Sequence, residues 1–211
     1  MTFASTTLTW YVARAGGMVA FGLLTLAIVL GLVLSGRAQL KSWPRFAVED
    51  VHRFLGLLTG IFIAVHGLAL FLDTYLPFSL INLLVPGTAA YRPFATALGV
   101  VGAELLFAVA LTNRYRKRLP HRLWRRIHYL NFAVWTLALV HGIAAGTDTR
   151  TAWGMLFYAV SAGSVTGLTA WRVLRSRGLA PWGLRLWPGA AAVVAVEAVV
   201  LLALGPLRRG G

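Results

Sequence analysis

The chain has 211 residues, 58% of them hydrophobic and only 12% charged, with a formal net charge of +14 and no cysteine. Such a composition excludes an ordinary soluble domain and marks an integral membrane protein. The absent cysteine excludes a disulfide framework, a cysteine-ligated iron–sulfur cluster and the Cys-x-x-Cys-His attachment of a c-type haem.

Six apolar runs reach or approach bilayer length, at residues 8–35, 48–72, 93–112, 123–143, 153–174 and 189–204. The expected fold is therefore all-α: a polytopic six-helix bundle occupying 1–211 as one domain. The loops after the first, third and fifth runs carry Arg37, Lys41, Arg45 and Arg53, then Arg114, Arg116, Lys117, Arg118, Arg122, Arg125 and Arg126, then Arg172, Arg175, Arg177 and Arg185. They hold most of the 20 basic residues. The positive charge thus has the period of a membrane and argues against nucleic acid as a partner. By the positive-inside rule these loops are expected to be cytoplasmic and both termini outside, in a plasma or inner cell membrane.

The first run lacks the basic leader and short apolar core of a cleaved signal peptide, so it reads as a retained span. Trp10 and Tyr11 suit the outer interface, and Arg14 lies about a turn deeper. Arg14 either snorkels to the headgroups or meets a carboxylate of a bound group, such as a haem propionate. Gly16 and Gly17 permit close approach of a helix or ligand.

The second run contains His52 and, fourteen positions on, His66, with Gly56, Gly60 and Gly67 as small residues that admit either a porphyrin or a neighbouring helix. After Asp73, residues 78–85 are too short to span and suit an interfacial segment. Arg92 sits at the outer mouth of the third run, matching Arg14. Glu104 within that run and Glu197 in the last are expected to be protonated or paired, with a proton relay as the functional alternative.

The loop at 113–126 is the most basic stretch and fits topology and anionic headgroups. Arg53, Arg125 and Arg126 additionally suit propionates near the inner face or an acidic electron donor, whereas His121 is expected to be solvated. The fourth run carries His128 and His141. Arginines and Trp171, Trp182 and Trp187 make 172–188 a second interfacial candidate.

At about 1.5 Å of rise per residue, His52 and His66 lie roughly 21 Å apart along a helix, and His128 and His141 roughly 20 Å. Each helix therefore offers one imidazole near either membrane face. An imidazole in lipid needs a partner. A single one is satisfied by a neighbouring carbonyl, but two pairs of similar spacing on two spans match axial ligation of two b haems, bound non-covalently. One geometric strain stands: thirteen residues fall about 0.4 turn short of four helical turns, so tilt, a local distortion or rotated haem planes must bring His128 and His141 into line. An alternative class is a transporter or a protein binding metal ions or protons through these histidines. Direct chelation needs ligands close together, as at i and i+4, and the spacing argues against it.

The motifs His52-Arg-Phe-Leu-Gly with Val65-His-Gly, and Leu123-Trp-Arg-Arg-Ile-His-Tyr-Leu with Val140-His-Gly, resemble the ferric-reductase-like transmembrane domain. That domain is shared by NADPH oxidases, ferric reductases and the haem-binding membrane subunit of the periplasmic methionine sulfoxide reductase system. The resemblance covers roughly the first five runs. It implies two b haems between the second and fourth helices. Because the charge rule makes those helices parallel, His52 pairs with His128 at the cytoplasmic haem and His66 with His141 at the outer one. It further implies electron transfer from a cytoplasmic donor to an extracytoplasmic acceptor such as ferric iron, oxygen or a redox protein. The C-terminal part departs from the oxidases, where a flavin- and nicotinamide-binding domain follows. No flavin or nicotinamide site is found here, so oxidoreductase activity is expected only with a separate flavoprotein or a quinol as donor.

Overall fold

The structure, a computed structural model, describes residues 3–35 and 44–176. The expected sixth span, with Glu197, lies outside the described residues, as do Arg37, Lys41, Arg177, Arg185, Trp182 and Trp187. All regular structure among the described residues is helical: α1 (Phe3–Ser35), α2 (Arg45–Leu72), α3 (Leu80–Leu84), α4 (Pro93–Arg114), α5 (His121–His128), α6 (Leu130–Ala145) and α7 (Ala152–Ser176). Short 3₁₀ turns at Arg116–Arg118 and Asp148–Arg150 precede α5 and α7.

Four stretches are long and apolar enough to cross a membrane: Leu8–Ser35, Arg45–Leu72, Pro93–Arg114 and His121–Ala145. They coincide with the first four expected spans. Along α2, Phe54, Leu57, Ile61, Val65, Leu68 and Leu72 are exposed at three- and four-residue intervals. So continuous an apolar stripe on one helix face is a lipid-facing surface.

The expected fifth span is helical as α7, yet it is not among the four. Ser161, Ser164, Thr166 and Thr169 lower its hydropathy. Each of these hydroxyls bonds the carbonyl four residues earlier, at Phe157, Val160, Ala162 and Val165. The polarity is thereby satisfied within the helix, without water.

The described residues of Met1–Leu24 and Arg53–Thr147 form one compact unit, and those of Thr25–His52 and Asp148–Gly211 a second. In the first, α4 packs on α6, with Val109 and Val134 each 1% exposed. Gly102 of α4 faces α6 at ordinary contact distance, a Cβ there lying 3.6 Å from Leu137 Cβ. Phe21 of α1 stacks on Trp135 of α6 with ring centres 6.1 Å apart. Buried Asp73, just past α2, accepts from the Thr9 hydroxyl at 2.9 Å and from the Tyr75 and Leu76 amides. The segment expected to be interfacial holds α3, whose Ser79 and Asn82 form a capping box.

The expected span at 123–143 is not one uninterrupted helix. Between α5 and α6 the Phe132 amide bonds the Tyr129 carbonyl three residues back, and Asn131 Nδ2 occupies the His128 carbonyl at 2.9 Å. This is a 3₁₀-type step directly after His128. Such a step turns about 20° further than an α-helical one, a small part of the rotation by which thirteen residues miss four turns.

In the second unit, Thr151 caps α7 by accepting from the Gly154 amide at 3.1 Å. Ala162 and Val165 of α7 are buried.

Candidate functional site

His66 of α2 and His141 of α6 stand with ring centres 6.4 Å apart and planes at 78°. Neither Nδ1 faces the other ring's helix. His66 Nδ1 donates to the Ala13 carbonyl of α1 at 2.6 Å, and His141 Nδ1 donates to the Ala95 carbonyl of α4 at 2.7 Å. A carbonyl oxygen only accepts, so Nδ1 carries the hydrogen, and in the neutral ring the lone pair is on Nε2. Imidazoles that ligate a metal are held in this way, by an acceptor on the nitrogen away from the metal.

The separation itself fits a metal between the rings. A ring nitrogen lies about 1.1 Å from its ring centre and a metal–imidazole bond is about 2.0–2.1 Å, so two imidazoles on opposite sides of one metal have centres about 6.3 Å apart. Both rings are only half-buried. On α2, Gly56, Gly60 and Gly67 lie about 120° round the helix from the centre of the lipid-facing stripe and about 80° from the histidines at 100° per residue, and a Cβ on any of them would meet nothing within 4 Å among the described residues. That flank of α2, next to the histidine side, thus leaves its backbone uncovered.

Close approach of α1 depends on two adjacent glycines. A Cβ on Gly16 would lie 3.4 Å from the His66 backbone nitrogen, and one on Gly17 would lie 3.1 Å from His66 Nδ1.

His52 repeats the arrangement within the second unit. Its Nδ1 donates to the Ala27 carbonyl at 2.8 Å, and a Cβ on Gly31 would lie 3.3 Å from its Cε1. His128 is held differently. Its ring stacks on Trp124, with centres 5.2 Å apart, and the Trp124 indole donates to Asn113 Oδ1 at 2.9 Å. Asn131 Nδ2 lies 3.4 Å from His128 Nδ1. His121 is exposed as the first residue of α5, beside Trp124.

Arg92 and Tyr91 grip the end of α6: an Arg92 guanidinium nitrogen donates to the Ala144 carbonyl and the Tyr91 hydroxyl to the Ala145 carbonyl. Arg92 itself has φ 41°, ψ 64°, a left-handed conformation that only this non-glycine residue adopts among the described residues. Arg14 is half-buried with its guanidinium 5.6 Å from the centre of the Tyr11 ring. Arg53 and Arg126 are exposed, and Arg125 donates to the Tyr129 hydroxyl at 3.1 Å. Glu104 is exposed on α4.

The family model for the ferric reductase like transmembrane component matches residues 16–140. The chain belongs to this family. No curated protein and no solved structure gives a match. The ferric-reductase-like match contains His52, His66 and His128 and ends one residue before His141. With four apolar helices, the chain is a membrane protein of a haem-binding domain family that works in electron transfer with redox partners.

The sequence singled out all four histidines, but it did not single out Gly31, Gly99 or the three alanines whose carbonyls receive the rings. A signal was present, since Ala13 and Gly17, Ala27 and Gly31, and Ala95 and Gly99 share one four-residue spacing. That spacing is not selective by itself: Ala138 and Gly142, and Ala159 and Gly163, have it too.

Proposed function

We propose that this ferric-reductase-like protein is a di-haem b-type transmembrane electron carrier. It passes electrons from a cytoplasmic donor or quinol to an extracytoplasmic acceptor such as ferric iron, oxygen or a redox protein. The observation that carries the reading is the His66 and His141 pair, 6.4 Å between ring centres with each Nδ1 engaged on a backbone carbonyl. A b haem bound there supplies a one-electron couple in a low-dielectric site.

The chain's own residues then have distinct tasks. His66 and His141 hold the outer group from two helices, and His52 and His128 are assigned to the inner one. Arg14 and Arg92 lie at the outer end of their helices, where remaining guanidinium donors suit propionates. Arg53 of α2 and Arg126 of α5, both exposed, suit inner propionates or an acidic donor surface. The six-span count, the plasma- or inner-membrane location and the external termini complete the proposal, as does a separate flavoprotein or quinol partner. No cluster of three or more His, Cys, Asp or Glu able to hold a bare ion occurs among the described residues.

Purified protein made with adequate haem supply should show a sharp Soret band, a reduced α band and about two haems per chain. A colourless preparation overturns the reading. Dithionite should reduce it, NADPH alone should not, and in liposomes the side from which a quinol or flavoprotein reduces it gives the direction of flow.

A further inference from the structure

In an α-helix the carbonyl of residue i points toward residue i+4, and the side chain at i+4 leans back over it. A carbonyl on a helix flank is therefore shielded by whatever Cβ stands four residues later. Helical glycines leave such carbonyls uncovered at several points, and at three of them a histidine ring reaches the uncovered oxygen. Gly17 uncovers Ala13 for His66, Gly31 uncovers Ala27 for His52, and Gly99 uncovers Ala95 for His141.

The clearance differs among them. A methyl built on Gly99 would lie 2.7 Å from both Nδ1 and Cε1 of His141 and 3.0 Å from Cγ, so the ring must move. On Gly17 it would lie 3.1 Å from Nδ1 and 3.2 Å from Cε1 of His66, and on Gly31 3.3 Å from Cε1 of His52 but 3.8 Å from Nδ1. Gly102, on the same helix as Gly99, faces only Leu137 and the Val134 carbonyl at ordinary contact distance.

We propose that Gly17, Gly31 and Gly99 are positioning residues: each opens a backbone carbonyl that fixes the tautomer of one histidine and tunes its strength as an iron ligand. The proposal rests on the haem reading above. A hydrogen bond accepted from Nδ1–H pushes electron density toward Nε2 and raises the basicity of the ligand. That favours the ferric state, so each carbonyl holds its haem at a lower potential than an unsupported histidine would.

The test is Gly17→Ala, Gly31→Ala, Gly99→Ala and, as control, Gly102→Ala in the full-length, detergent-purified protein, read by haem content and by redox titration. The three seat variants should raise one midpoint each, in the order Gly99, Gly17, Gly31 from largest shift to smallest. Gly17→Ala and Gly99→Ala should move the same component and Gly31→Ala the other, while Gly102→Ala moves neither. Selective loss of that same component in Gly99→Ala also supports the proposal. If Gly99→Ala fails to accumulate, Gly17→Ala and Gly31→Ala decide it. Unchanged midpoints with full haem content overturn it, as does a shift of equal size in Gly102→Ala. Wild-type protein without haem refutes instead the reading on which the proposal stands.

Discussion

His141 and His128 lie at the two ends of what the sequence presents as one span, and they are seated by opposite means. His141 meets a backbone oxygen, Ala95, fixed by a helix and incapable of donating. His128 rests on the Trp124 ring, and the Asn131 amide nitrogen, a donor that also bonds the His128 carbonyl, lies 3.4 Å from its Nδ1. One ring is preset with its hydrogen on Nδ1; at the other no such acceptor is supplied by Asn131. A backbone seat imposes polarity that mutation of its own side chain barely alters, whereas a side-chain seat is adjustable residue by residue.

Ligand removal breaks the comparison outright. On the proposed pairing, His66→Ala and His141→Ala each remove the same haem, and His52→Ala and His128→Ala the other, so each variant should retain about half the wild-type haem. Low-temperature spectra of the four variants identify which component is lost, and a shared component for His52 and His141 would refute the pairing.

A smaller change sharpens it. Asn131→Asp replaces a donor with an acceptor beside His128 Nδ1, giving this ring the polarity that Ala95 gives His141. The midpoint of the component assigned to His128 should fall and the other should stay; redox titration reads both, and an unchanged pair would show that Asn131 does not act on the ring.

The smallest expected effect is at the outer rim. Arg92→Gln removes a positive charge, which favours ferric over ferrous iron, so the outer midpoint should fall modestly and less so at high salt. The same change loosens the grip on the Ala144 carbonyl, where a cation at a helix C-terminus contributes about 0.3–1 kcal/mol. A small drop in thermal midpoint with no potential shift would leave Arg92 as a helix cap alone.

The histidines and the four apolar stretches were legible because their signals are local: residue type and run length. The break after His128 is a local distortion, one of three ways, with tilt and rotated haem planes, left open by the 13-residue spacing, which shows a mismatch without showing that Asn131 takes the His128 carbonyl. The seats of His66, His52 and His141 were not legible. Their acceptors are carbonyls, which every residue carries, and their selectors are glycines indistinguishable in sequence from those of ordinary helix packing. Arg92 was placed at the right end of its helix, but its hold on Ala144 joins residues 52 positions apart, a contact no periodicity encodes.

The Asp73 clasp bears on how such a protein is made. By taking the Thr9 hydroxyl, Asp73 ties the start of α1 to the end of α2, and the Ala13 seat of His66 lies just inside that tie. The Ala95 seat of His141 is likewise formed between α4 and α6. Each half of the cradle is thus completed by a hydrogen bond between the chain's own helices. Cells starved of haem should accordingly accumulate an inserted chain with both seats already built, and later supply of haem should mature it without renewed synthesis.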